Sequence, residues 1–217
     1  MEISERIKEL KKELVTVTLV AVSKTHPITL IQEAYQAGQR VFGENRVQEL
    51  VPKHEALPKD IQWHLIGSLQ TNKVKYIASF VYMIQSVDSL KLLETIDKEA
   101  QKHNRKINCL LQVYIAQEET KHGFDPTEIV DFFTTQKFNN YKNIEFSGLM
   151  GMATNTDNLD QVSKEFRSLN LLFTQIKNIY TNPSFSQLSM GMSSDYKLAI
   201  KEGATIVRIG STIFGKR

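Results

Sequence analysis

The sequence has almost no cysteine and no long apolar run. Cys109 is the only cysteine among 217 residues, which excludes an internal disulfide and a zinc site built on several thiolates. No run of about 18 apolar residues occurs, and the charged N-terminus lacks the apolar centre of a secretory signal. We therefore expect no membrane association, and a reducing, cytoplasmic setting in which Cys109 is a buried structural thiol.

An excess of charge of one sign is also absent. The 27 lysine and arginine residues are balanced by 24 aspartate and glutamate residues, which leaves a net charge of +3. Proteins that bind nucleic acids usually show clustered basic residues, and only residues 102–106 (KHNRK) approach such a cluster. A solvated helix end explains that segment better, so we expect no nucleic-acid partner. The five histidines lack the spacing of metal ligands, so we expect no metal site.

Short apolar or β-branched segments alternate with segments of helical period. Alternation of this kind favours βαβ units around a parallel sheet, and eight units in one undivided chain favour a (β/α)8 TIM barrel. The alternative is a doubly wound open sheet, but the glycine-rich turn typical of that fold is missing from VAVSKTHP after the first strand. The predicted strands are at about 18–23, 40–42, 62–66, 81–86, 108–114, 145–149, 186–190 and 205–209.

Two helices are indicated by their apolar spacing. Apolar side chains recur every three or four residues from 159 to 180, which places them on one helix face. Near the N-terminus, Ile3, Ile7, Leu10 and Leu14 form a similar stripe before the first strand. We therefore predict a single barrel domain over residues 1–217 with an extra N-terminal helix.

Functional groups of such a barrel lie where strands end and loops begin. Lys24 follows the first strand, where burial would lower the pKa of its ammonium group and free the amine as a nucleophile towards aldehydes. A lysine whose stem packs on apolar surface while its charge reaches solvent is an equally good interpretation. Asp88 and Glu44 follow two other strands. They are candidates for a carboxylate pair in the barrel mouth or for caps of the following helices.

The end of the chain offers an anion site. Ser193 and Ser194 precede the helical segment DYKLAI, so we predict that Ser193 caps a helix whose first amides are exposed. Such amides and the helix dipole favour phosphate, and Gly210 after the last strand lets a second backbone approach. An ordinary cap and an ordinary turn glycine remain alternatives for each residue alone. Together with Lys24, a phosphate cradle here would suit pyridoxal 5′-phosphate, which carries an aldehyde and a phosphate.

The sequence resembles the pyridoxal phosphate homeostasis protein family, whose members are similar to the barrel domain of alanine racemase. The resemblance implies a barrel of the alanine racemase N-terminal type, and the segment WH-x-IG-x-LQ-x-NK is highly specific to the family. The matching stretches span nearly the whole chain: LVAVSKTHP at 19–27, FGENRVQEL at 42–50, WHLIGSLQTNKVKYI at 63–77, IQSVDS at 84–89, ETKHGF at 119–124, FSGLMGMAT at 146–154 and LSMGMSSDYKLAIKEGATIVRIGSTIFG at 188–215.

The resemblance also implies roles for individual residues. Lys24 would form a Schiff base with the aldehyde of pyridoxal phosphate, and Arg208 would face its pyridine nitrogen. His64 belongs to the family motif, although a core histidine bonded to backbone is an equally good interpretation. The other implied site residues hold the phosphate (Ser193, Gly210 and Ser211, with Ser194 and Thr212 nearby) or lie beside the ring (Asn45, Met190 and Met192).

Arg208 also bears on function. An arginine only donates hydrogen bonds, so it disfavours a protonated pyridine and makes the cofactor a poor stabiliser of carbanions. Alanine racemase tolerates this arrangement because it adds a tyrosine base from a separate C-terminal domain. This sequence ends at Arg217, soon after the eighth strand, so we expect no such base. We therefore expect a monomeric protein that buffers pyridoxal phosphate or delivers it to apo-enzymes that depend on it. A weak racemase or transaminase-like enzyme is the alternative.

Overall fold

The computed structural model describes residues 2–116 and 123–215, so part of the ETKHGF motif, residues 119–122, lies outside the described residues. Eight parallel strands pair in chain order, and the eighth pairs with the first to close a barrel. This confirms the predicted (β/α)8 barrel. The strands are β1 (Thr18–Val22), β2 (Val41–Glu44), β3 (Gln62–Leu65), β4 (Met83–Val87), β5 (Ile107–Gln112), β6 (Ile144–Met150), β7 (Gln187–Ser189) and β8 (Ile206–Ile209).

Helices cover the outside of the barrel, and α1 confirms the extra N-terminal helix. Within the described ranges, no helix combines the length and the apolar content needed to cross a bilayer. The segment after β3 forms a 3₁₀ helix, Thr71–Tyr76, rather than an α-helix, and a second 3₁₀ segment is Lys137–Asn140. The α-helices are α1 (Ile3–Glu13), α2 (Ile28–Gln36), α3 (Val47–Ala56), α4 (Leu90–Lys102), α5 (Pro126–Thr134), α6 (Leu159–Ile179), α7 (Tyr196–Lys201) and α8 (Ser211–Phe214).

Two apolar regions stabilise the barrel. The larger one lies between strands and helices and includes the buried faces of α1 and α6, as their apolar periodicity predicted. The smaller one forms a layer inside the barrel. Because side chains on one strand face alternate sides, residues two positions further along each strand lie in the next layer towards the carboxyl ends. The inner layer consists of Val20, Met83, Leu110, Met150 and Ile206.

Candidate functional site

The carboxyl ends of the strands surround a cavity of about 640 Å³. The alternation of side chains beyond the inner apolar layer brings Val22 on β1 and Arg208 on β8 into its lining, and Lys24 and Gly210 follow directly after these strands. The structure thus gathers residues that are nearly 200 positions apart in the chain. Nine of the eleven residues predicted for the site line this cavity: Lys24, Asn45, Met192, Ser193, Ser194, Arg208, Gly210, Ser211 and Thr212.

The loop that carries Lys24 is fixed by a buried ionic cluster, formed by Lys53, Glu44, Glu49 and Ser23 and called the Lys53 cluster below. The ammonium group of Lys53 lies 2.7 Å from Glu44 Oε1 and 3.4 Å from Glu49 Oε2, and it donates a hydrogen bond of 2.9 Å to the Ser23 carbonyl oxygen. The Ser23 hydroxyl donates to Glu44 Oε1 at 2.6 Å. Lys53 and Glu44 therefore contact Ser23, the residue directly before Lys24, and Glu49 contacts Lys53.

The residue after Lys24 is held by the same cluster. The amide of Thr25 donates a hydrogen bond of 2.6 Å to Glu49 Oε2, and Thr25 has a φ of +65°, a conformation that is uncommon for a residue other than glycine. Lys24 is therefore flanked by two anchored residues. Because such a backbone conformation persists only where surrounding contacts impose it, the cluster sets the direction in which the Lys24 side chain leaves the barrel rim.

The carboxylates expected in the barrel mouth have other roles. Glu44 is fully buried, and burial raises the pKa of its carboxyl group, while the hydrogen bonds from Lys53 and Ser23 oppose that rise. It is neither a mouth carboxylate nor a helix cap. Asp88 accepts a hydrogen bond of 3.1 Å from the hydroxyl of Ser89, and Ser89 is the N-cap of α4. Neither interpretation offered for the pair is correct.

Backbone and hydroxyl groups from two strand ends meet at the predicted phosphate position. The prediction that Ser193 caps a helix is wrong, because α7 begins at Tyr196 and Asp195 precedes it. Ser193 instead accepts a hydrogen bond of 3.2 Å from the amide of Gly210, which ties the loop after β7 to the loop after β8. Asp195 occupies the N-cap position of α7 but makes no capping hydrogen bond, because its carboxylate accepts from the amide of Met192, before the helix, at 2.5 Å.

Arg208 lies at the base of the cavity. Its side chain is 4% exposed, and burial lowers the pKa of its guanidinium group to about 10, so the group is charged at neutral pH. Nη1 donates to the Ser189 hydroxyl at 2.6 Å, and Nη2 donates to the Gly151 carbonyl oxygen at 3.1 Å. A guanidinium has five N–H groups, so these two bonds leave donors for a ligand in the cavity.

Glycines allow the close approaches that shape the rim. A Cβ on Gly67 would lie 2.5 Å from the Asn45 carbonyl oxygen, so a side chain there would displace the loop that carries Asn45. Gly191 has a φ of +88°, and its carbonyl oxygen accepts the amide of Arg208 at 3.0 Å. The two glycines therefore allow close backbone contacts beside two lining residues, Asn45 and Arg208.

Two predicted residues lie outside the cavity lining. Met190 is fully buried in the outer apolar region. His64 is 2% exposed inside the barrel, where its Nδ1 lies 2.8 Å from Nε2 of Gln85. Burial lowers the pKa of His64 to about 3, so its ring is neutral at neutral pH.

Comparison with known proteins places the chain in a family. The family model of the alanine racemase N-terminal domain matches residues 1–217. The pyridoxal phosphate homeostasis protein of Aquifex aeolicus is 43% identical over 200 residues, which cover 92% of this chain and 86% of that protein. The chain belongs to the pyridoxal phosphate homeostasis protein family. This confirms the resemblance noted in the sequence.

Solved structures agree with this family assignment. The structure of PipY from Synechococcus elongatus without pyridoxal phosphate superposes with a TM-score of 0.93 at 37% identity, covering 99% of this chain and 100% of that chain. The structure of PipY with pyridoxal phosphate bound gives 0.89 at 36% identity, with the same coverage. The alanine racemase of Streptomyces coelicolor gives 0.76 at 15% identity over 58% of its chain, and this likeness shows a shared fold alone.

Five residues that line this family member's cavity were not among the predicted site residues: Val22, His26, Ile66, Met152 and Gly215. Two of them, His26 and Met152, carry side chains with a nitrogen or sulfur atom. His26 lines it, and its ring lies 4.9 Å from that of Phe214. Met152 lines it from the loop after β6 and is 42% exposed. Both residues lie within motifs used for the family resemblance, and both follow strand ends. Position after a strand was therefore the available signal, whereas their residue types carried none.

Proposed function

We propose that this protein binds pyridoxal 5′-phosphate in the cavity at the carboxyl ends of its strands. The observation that carries the proposal is the donor set of the cavity, which combines an amine, a permanently charged donor and a group of hydroxyls. These match the aldehyde, the pyridine nitrogen and the phosphate of the cofactor. The binding of pyridoxal phosphate by PipY supports the proposal.

The residues divide the binding between three parts of the cofactor. The Lys24 amine would hold the cofactor through its aldehyde carbon, as a Schiff base (C=N) formed with loss of water. The hydroxyls of Ser193 and Ser211, with Ser194, Thr212 and the amides of the same loops, donate to the phosphate oxygens. Asn45 and Met192 flank the ring. When bound, the cofactor supplies a reactive carbonyl group and an electron-withdrawing ring.

Arg208 makes this site one for holding the cofactor rather than for strong catalysis. The pKa of its guanidinium group, about 10, lies well above neutral pH. Arg208 therefore keeps its protons and donates a hydrogen bond to the pyridine nitrogen without protonating it. We propose that the protein acts in pyridoxal phosphate homeostasis as a monomer in the cytoplasm, where it buffers the cofactor or delivers it to apo-enzymes.

The test is covalent trapping of the cofactor by single lysine variants. Wild-type protein, Lys24→Ala and the control Lys73→Ala are each mixed with pyridoxal phosphate, examined for a visible absorption band, reduced with borohydride and analysed by peptide mass spectrometry. We expect the band and a labelled peptide containing Lys24 in wild type and Lys73→Ala, and neither in Lys24→Ala. A wild-type protein that stays colourless, or a label on another lysine, would contradict the proposal.

A second measurement separates a carrier from an enzyme. The loaded protein is incubated with alanine deuterated at the α-carbon, and loss of deuterium is followed by mass spectrometry. We expect no loss above that caused by free pyridoxal phosphate at the same concentration. A faster loss that disappears in Lys24→Ala would favour the racemase or transaminase-like alternative.

A further inference from the structure

A chain of four buried polar side chains runs through the barrel below the cavity. Arg208 Nη1 donates to Ser189 Oγ at 2.6 Å, Ser189 Oγ donates to Gln85 Oε1 at 2.6 Å, and Gln85 Nε2 lies 2.8 Å from His64 Nδ1. We call these four residues the interior relay. They come from β8, β7, β4 and β3, and none is more than 4% exposed. Only Arg208 lines the cavity, so binding of the cofactor leaves three of them without a direct role.

The charge of Arg208 fixes the direction of every bond in the relay. A guanidinium can only donate, so the Ser189 oxygen accepts from Arg208 and must direct its own proton to Gln85. The amide oxygen of Gln85 therefore faces Ser189, and its NH2 group faces His64. Because that NH2 group can only donate, Nδ1 of His64 is an acceptor. The neutral ring of His64 consequently carries its proton on Nε2.

This order has a cost that packing alone does not explain. Nε2 of His64 is buried and has no hydrogen-bond partner among the described residues. A buried polar atom without a partner costs about 1–3 kcal/mol, whereas apolar residues at these positions would extend the inner apolar layer. Because the four polar residues leave Nε2 of His64 unpaired and so lower stability, their presence beneath Arg208 indicates a role other than stabilising the fold.

We infer that Gln85 is a positioning residue for Arg208. Its amide oxygen accepts the Ser189 proton, so the Ser189 oxygen is free to accept from Arg208. The bond to Ser189 then holds the remaining N–H groups of Arg208 towards the cavity. The statement that Arg208 contacts the cofactor rests on the proposed function. The order of donors within the relay does not depend on it. His64 then terminates the relay as an acceptor and does not touch the cofactor.

The order of donors is tested in cofactor-free protein. Long-range proton–nitrogen NMR spectra report which ring nitrogen of His64 carries the proton, and His64→Gln identifies the signals. We expect Nε2 in wild type at neutral pH. In Gln85→Glu, a carboxylate that can only accept should move the proton to Nδ1, whereas the control Gln187→Glu, on the same strand as Ser189, should leave it on Nε2. A proton on Nδ1 in wild type would overturn the inference even if the Glu variant did not fold.

The effect on Arg208 is tested by selectivity for the ring nitrogen. The affinities of wild type, Gln85→Leu and Gln85→Glu are compared for pyridoxal phosphate and for its analogue with CH in place of the ring nitrogen. Leucine gives Ser189 no acceptor, so we expect the preference for pyridoxal phosphate to fall about tenfold, while Gln85→Glu keeps it within about threefold. Equal weakening for both compounds would show a merely structural role and overturn the inference.

The two measurements separate the two proposals. If wild type binds neither compound, the proposed function fails, and with it the part of Gln85 in cofactor binding. The proton position on His64 would still decide the order of donors in the relay. If wild type binds both compounds equally, Arg208 does not face the ring nitrogen, and the positioning role is overturned while the cofactor site stands.

Discussion

Replacement of Lys53 by methionine should destabilise the protein strongly and in a pH-dependent way. Methionine keeps the apolar stem of Lys53 but removes the ammonium group. The Lys53 side chain is only 8% exposed, and its ammonium group pairs with the fully buried Glu44. Glu44 then retains the Ser23 hydroxyl as its donor and loses its cation. Breaking one partner out of a buried ion pair costs about 3–5 kcal/mol, so we expect a loss in that range at neutral pH.

The sign of the pH dependence follows from Glu44. Burial already raises the pKa of its carboxyl group above the ordinary value of 4.5, and removal of Lys53 removes the largest influence that opposes this rise. The folded variant therefore binds a proton that the unfolded chain has released. The contribution of Glu44 to the stability of the variant falls by about 1.4 kcal/mol per pH unit from 4.5 up to the folded pKa of Glu44 and is level above it. The deficit against wild type should be larger at about pH 8 than at about pH 5.

Urea unfolding measured by tryptophan fluorescence gives the required free energies. Trp63 is the only tryptophan and is 1% exposed, so its emission reports unfolding of the barrel. The double variant Lys53→Met/Glu44→Gln removes the unpaired charge and should recover part of the loss, while Lys91→Met on an exposed helix face should change stability by less than about 0.5 kcal/mol. A deficit of less than about 1 kcal/mol for Lys53→Met, or one that is equal at both pH values, would refute the reasoning.

Three further outcomes are expected. Replacing Ser193 and Ser211 together by alanine should weaken binding of pyridoxal phosphate about tenfold while changing binding of phosphate-free pyridoxal less than about twofold, as measured by absorbance titration. Gly191→Ala would place a Cβ 2.5 Å from the Ala199 Cβ at a φ of +88°, so urea unfolding should show a loss of about 2–3 kcal/mol. His64 has a pKa of about 3 when folded against 6.5 as its ordinary value, so the unfolded chain binds the extra proton between these values. The contribution of His64 to stability should therefore fall by about 1.4 kcal/mol per pH unit as the pH falls from 6.5 towards 3, and this contribution should be absent in His64→Gln.

The fold was predictable because its signals are local. The apolar period of α6 and the short strands between turns are visible in windows of a few residues, and the number of βα units selects a barrel. Strand ends then located the cavity. The placement of Arg208 in it follows from counting two residues at a time along β8, and the placement of Lys24 follows from its position directly after β1.

The contacts that fix the site were not predictable, because they join residues distant in sequence. Ser189 and Gln85 are 104 positions apart, and only the closed barrel brings β7 and β4 together across its interior. Lys53 has the spacing of an ordinary surface lysine paired with Glu49 one helical turn earlier, and its burial against Glu44 depends on how α3 packs on β2. The error at Ser193 has a similar cause, because its hydroxyl accepts the amide of Gly210, 17 positions away, and α7 begins only at Tyr196.

Holding a cofactor and using it for catalysis place opposite demands on the group that faces the pyridine nitrogen. A catalyst that stabilises carbanions needs a proton on that nitrogen, which a carboxylate retains by accepting it. In the proposed complex this group is Arg208, and the interior relay favours it as a donor, because the Ser189 hydroxyl directs its proton to Gln85 and presents its oxygen to Arg208. Exchanging Arg208 alone for an acidic residue would therefore not create a catalyst. Ser189 would then have two acceptors and one proton, and the order of donors would have to reverse as far as His64.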